Sequence, residues 1–144
     1  MPNKIVSVDA TLMEGYKIEV RSRQHVSIVD QPTAGGGTDA GPTPLEYLFV
    51  SLAGCFGTIG QIIVKQRRLP VRKIEVQVEG DLDTDVLMGK RDDIRAGFSG
   101  IRVTVKLDAD MTQEEKEQFV HEIDARCPIS DNIINLTPVE FAVE

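Results

Sequence analysis

The sequence predicts an α+β domain with the element order β-β-β-α-β-β-α-α-β. Three observations carry this. Capping boxes at Thr43 and Thr112 each open into a segment of helical periodicity. Two segments, Lys73 to Gly80 and Gly100 to Leu107, alternate apolar and polar residues as strands with one buried face do. The length of 144 residues suits one domain with its own core, residues 1–144, and is short for two.

Taken in order, Lys4 to Asp9 and Tyr16 to Arg21 read as short strands joined by a turn at Met13-Glu14-Gly15, and His25 to Val29 as a third. Asp30 to Gly41, with Pro32 and Gly35-Gly36-Gly37, reads as a loop with no need of packed structure. It lacks the GK[ST] ending of a phosphate loop. Thr43 is placed to cap a helix with Pro44 at its first position and Glu46 closing the box. Leu45, Leu48, Phe49, Leu52, Phe56, Ile59 and Ile63 continue it to near Arg68. Some 24 residues at 1.5 Å each give a spine of about 36 Å. Gly54, Gly57 and Gly60 lie inside it, each costing about 1 kcal/mol against Ala. Either the helix is kinked there, or another element packs too closely for a side chain.

Asp81 to Ser99 reads as a charged, exposed connection. Its Asp81-Leu82-Asp83-Thr84-Asp85 start resembles a calcium loop, but Val86 replaces the required Gly and Asp92 the bidentate Glu. Thr112 caps the next helix, with Phe119, Val120 and Ile123 on one face and an end near Arg126. Pro128 disfavours helical geometry at Cys127 and starts a short helix, Ile129 to Ile134. Val139, Phe141 and Val143 alternate as a closing strand.

Composition excludes several function classes. The net charge of −7 leaves no basic face to neutralise phosphates, and with Trp absent and aromatics at 5% there is no stacking platform for bases, so no nucleic-acid partner is expected. No apolar run of signal-peptide length opens the sequence, and none approaches the roughly 18–20 residues of a membrane span. A cytoplasmic location without a membrane partner is the expectation. There, paired cysteines are more often catalytic or redox-sensing than permanently bridged.

Cys55 and Cys127 are the only thiols. A buried cysteine is often just a small hydrophobe. With His25 and His121 they make four zinc-ligand types, but no CxxC or HxxxH spacing supports a metal, and no cofactor is implied. An ordinary thiol is a few per cent thiolate at neutral pH, and making it mostly thiolate needs about 3.4 kcal/mol of preferential stabilisation. A helix terminus supplies at most about 2 kcal/mol, within its first turn, and Cys55 lies some three turns in. Glu46, nine residues before it, falls on the opposite helix face. A cation must therefore arrive from elsewhere, and arginine suits because it stays charged when partly buried. Arg21 and Arg23 otherwise read as solvated charges. Cys127, beside Pro128, sits where it can cap the following helix.

The motifs Gly41-Pro42-Thr43-Pro44-Leu45-Glu46-Tyr47-Leu48, Ser51-Leu52-Ala53-Gly54-Cys55 and Arg126-Cys127-Pro128-Ile129-Ser130-Asp131 resemble the OsmC/Ohr family, the osmotically induced and organic hydroperoxide resistance proteins. The resemblance covers nearly the whole chain and is nearest to the OsmC-like branch. It implies an OsmC-like fold, antiparallel sheets around a long central helix, in an intertwined homodimer with sites at the subunit interface. The three glycines would then be points of close helix approach. It implies a thiol peroxidase for organic hydroperoxides, in which Cys55 is oxidised to a sulfenic acid, Cys127 resolves it to a disulfide, and a dithiol reduces that. The implied active-site arginine comes from the N-terminal half, with Arg23 preferred over Arg21. A family glutamate ten residues before the reactive cysteine falls on Leu45 here, and Glu46 is its nearest substitute. The rival reading is an OsmC-like redox sensor or small-molecule binding protein without efficient turnover.

Overall fold

The computed structural model describes residues 2–144. It forms two compact units, Met1–Leu48 and Phe49–Glu144.

The first unit is a three-stranded antiparallel sheet, β1 (Asp9–Leu12), β2 (Ile18–Ser22) and β3 (His25–Val29), in the order β1-β2-β3. The third strand lies where the sequence predicts it, and the second begins two residues later than expected. The strand expected over Lys4 to Asp9 is displaced. The turn at Gly15, whose φ is +64°, sets the register so that Leu12 faces Ile18 and Asp9 faces Arg21. Only Asp9–Leu12 therefore find partners, and Ile5, Val6 and Val8 are left exposed.

The loop expected to need no packing is in fact built. Asp30 is buried, and its carboxylate accepts hydrogen bonds from the N–H groups of Gln31, Thr38 and Ala40 and from the Thr38 hydroxyl at 2.6 Å. These donors hold its pKa down at about 2, the Thr38 hydroxyl contributing most. A 3-10 turn, Thr33–Gly35, sits inside the loop. At Gly37 and Gly41 a Cβ would collide with the backbone carbonyls of Gln31 and Ile28, so only glycine lets the chain fold back this tightly.

Helix α1 (Pro44–Arg67) starts as predicted: the Glu46 N–H donates to the Thr43 hydroxyl oxygen, and the Glu46 carboxylate accepts from the Thr43 N–H. It is continuous through all three glycines. By length and apolar composition it meets the requirements of a membrane span, which corrects the expectation that no segment approaches one. The glycines, alanines and alcohols between its large apolar residues had hidden the run. It is nonetheless a core helix, burying Leu52, Phe56, Gly60 and Ile63.

In the second unit, β4 (Val71–Asp81) and β5 (Gly100–Ala109) form an antiparallel pair with an irregularity between Val71 and Lys73. Ile74 opposes Leu107, Val76 opposes Val105, and Val78 opposes Val103, so one sheet face is continuously apolar. Those side chains pack on a core of Leu52, Phe56, Ile63, Phe119, Ile123 and Cys127. Gly60 explains itself here: a Cβ would lie 2.9 Å from Ile74 Cδ1 and 3.2 Å from Ile123 Cδ1. Gly54 and Gly57 meet nothing within 4 Å.

The 82–99 connection holds one helical turn, α2 (Thr84–Leu87), capped by Asp83, where only irregular chain was expected. Within it Arg91 pairs with both Asp83 and Asp93, and at its edge Arg102 pairs with Asp81, the last residue of β4. Helix α3 (Gln113–Arg126) has the predicted capping box at Thr112, and α4 (Pro128–Ile134) has Pro128 at its start. The predicted closing strand is absent. Val139, Phe141 and Val143 alternate as expected, but among the described residues no strand pairs with them, and Phe141 is 91% exposed.

Candidate active site

The site is assembled by two features, the middle of α1 and the break between α3 and α4. Cys55 is half-buried on α1. Cys127 is fully buried and caps two helices at once, the end of α3 and the start of α4. As the last cap of α3 it donates its N–H to the Asp124 carbonyl at 3.3 Å. As the N-cap of α4 it accepts the Ser130 N–H on its sulfur at 3.4 Å. Its extended backbone, φ −85° and ψ 110°, is the conformation that Pro128 imposes on the residue before it. The outcome is that two thiols 72 residues apart in sequence lie with their sulfurs 2.8 Å apart, within hydrogen-bonding distance.

Burial pushes the Cys55 thiol above its ordinary pKa, and the hydrogen bond and charge of Cys127 push it further. The Ile129 N–H, from the first turn of α4, works the other way. Within its own surroundings Cys55 is therefore a reluctant thiolate, as its uncharged helical neighbours predict.

Sequence reasoning missed two residues. The hydroxyl of the buried Ser130, in the first turn of α4, donates to Asp124 Oδ1 at 2.5 Å. The signal was present as an aspartate three residues before Cys127 and a serine three after it, but helical phase across a proline break cannot be read from spacing. Both residues border a pocket of about 310 Å³ whose lining also includes Leu52, Phe56, Val120 and His121.

The other predicted residues lie in the Met1–Leu48 unit. Glu46 closes the α1 capping box, where the Thr43 N–H and hydroxyl hold its carboxyl below the usual range. Arg21 is ion-paired to Glu19 at 2.5 Å. Arg23 occupies the β2–β3 turn with φ +55° and makes no ion pair among the described residues. Among the described residues, no three His, Cys, Asp or Glu side chains are grouped to hold a metal ion.

The family model described as OsmC-like protein matches residues 36–142. Solved structures share the fold. An OsmC-like protein from Mycoplasma pneumoniae superposes with a TM-score of 0.82 at 20% identity, over 94% of this chain and 91% of that one. An organic hydroperoxide resistance protein OsmC from Legionella pneumophila gives 0.69 at 17% identity, over 92% and 91%. The organic hydroperoxide resistance protein OhrB of Bacillus subtilis gives 0.60 at 21% identity, over 90% of each chain. No curated protein matches the sequence.

Proposed function

From the premise that the chain belongs to the OsmC-like protein family, we propose that it is a cytoplasmic thiol peroxidase that reduces organic hydroperoxides, with residues 1–144 acting as one OsmC-like domain. The observation that carries this reading is the 2.8 Å approach of the Cys55 and Cys127 sulfurs. The Cys55 thiolate attacks the terminal oxygen of the hydroperoxide. The O–O bond breaks, the alkoxide takes a proton and leaves as an alcohol, and Cys55 becomes a sulfenic acid. The Cys127 thiolate attacks that sulfur, forming the S–S bond and expelling hydroxide, which leaves as water. A dithiol then reduces the disulfide, itself closing to a disulfide.

The reading assigns activation of Cys55 to Arg23, since Arg21 is engaged by Glu19. It makes the protein a homodimer. In support, α1 is largely unburied for so apolar a helix, Gly54 and Gly57 open onto a shallow groove with Ile62, and the alternating segments at both ends lack strand partners. Stopped-flow mixing with cumene hydroperoxide tests the chemistry. The parent loses two thiols per peroxide, Cys55→Ser does not react, and Cys127→Ser halts at a sulfenic acid trapped by dimedone. A Cys55→Ser variant as reactive as the parent would sink the proposal.

A second reading, a redox sensor or small-molecule binding protein, is favoured by one observation: Cys55 is pushed away from thiolate while Glu46 is occupied at Thr43. It predicts disulfide formation without turnover by any dithiol.

A further inference from the structure

We propose that Asp124 and Ser130 are positioning residues for the resolving thiol. Three hydrogen bonds make a closed circuit around Cys127. Its N–H is held by the Asp124 carbonyl, its sulfur receives the Ser130 N–H, and the Ser130 hydroxyl is tied to the Asp124 carboxylate at 2.5 Å. Asp124 belongs to the last turn of α3 and Ser130 to the first turn of α4. The side-chain bond thus staples the two helices across the break that contains Cys127. Without it, the junction retains the restraint of Pro128 on φ and ψ and the packing of Ile129 and Ile133 on the core, but loses the side-chain bond that ties the last turn of α3 to the first turn of α4. That first turn aims the Ile129 N–H at Cys55 and the Ser130 N–H at Cys127. A hydrogen bond to a carboxylate is among the stronger kinds, and Ser130 is buried, where loosening it leaves a polar group unpaired.

The staple favours the second step, closure of the disulfide, over the first, attack by Cys55. It rests on the resolving role proposed for Cys127, but its test needs no peroxide. The reduced protein is equilibrated with oxidised and reduced glutathione. The Cys55 thiolate attacks glutathione disulfide and releases one glutathione. The Cys127 thiolate then displaces the second, closing the Cys55–Cys127 bond. Acid quenching and mass spectrometry count the mixed and the internal disulfides. Ser130→Ala and Asp124→Ala are expected to lower the ratio of internal to mixed disulfide about tenfold, the size of one lost charge-assisted hydrogen bond. Ser130→Thr and Asp124→Asn, which keep a donor and an acceptor, are expected to restore most of it. Alanine variants that partition like the parent would overturn the proposal. So would alanine losses that the conservative variants fail to rescue, because the residues would then be serving packing alone. A parent that closes its disulfide with glutathione yet ignores peroxide would defeat the peroxidase reading and leave this one standing.

Discussion

At the scale of single residues, the site turns on how unequal its two thiols are. Cys55 is held toward the neutral form by burial and by Cys127, so its reactivity is limited by the supply of positive charge. If Arg23 provides that charge, Arg23→Ala is expected to slow Cys55 alkylation by iodoacetamide at pH 7 by at least about tenfold, the effect of a pKa rise worth 1.36 kcal/mol. Arg21→Ala, whose guanidinium is already spent on Glu19, is expected to leave the rate near that of the parent. Asp30 offers a pH test of the first unit. Its folded-state pKa, about 2, lies below the ordinary 3.8. Its contribution to stability is therefore complete above pH 4 and is lost as the pH falls toward 2. Asp30→Asn is expected to lower the melting temperature at pH 7, and the gap from the parent is expected to close between pH 4 and 2. A gap independent of pH would mean that the carboxylate's charge contributes nothing.

At the scale of elements, the sequence was most legible where an element carries its own boundary signals. Thr43, Pro44 and Glu46 mark the start of α1, Thr112 and Glu115 the start of α3, and Pro128 the start of α4; all three begin where those residues place them. Thr112→Ala removes an N-cap and is expected to cost about 1 kcal/mol in chemical denaturation. What stayed illegible depends on partners far along the chain. The pairing of Asp9–Leu12 follows from hairpin register, not from local periodicity. Asp30 looked like a loop residue because its donors Thr38 and Ala40 come from the far side of that loop. The meeting of Cys55 with Cys127 could be expected only through the family resemblance, because no pattern within either helix fixes how the two cross. Gly60 was equally ambiguous until Ile74 and Ile123 were seen beside it. Gly60→Val is expected to destabilise the chain by about 1–3 kcal/mol through overpacking, measured by the same denaturation.

At the scale of the whole molecule, the unpartnered apolar segments give the dimer its test. Ile5, Val6, Phe141 and Val143 are far more exposed than a chain living alone would favour. Deleting residues 136–144, or placing Leu at Gly57, is expected to shift sedimentation from dimer toward monomer. A parent that sediments as a monomer would remove the dimer from the proposal. One further consequence comes from the 82–99 connection, which lies between the two cysteines and exposes Lys90, Arg91 and Arg95. Once a bond joins Cys55 to Cys127, the intervening chain is a covalent ring, and trypsin can cut that ring at the connection without separating the pieces. A singly nicked molecule would run as one band on a non-reducing gel when oxidised and as two when reduced. The loop thus provides a direct gel readout of the redox state of the site, with no label and no substrate.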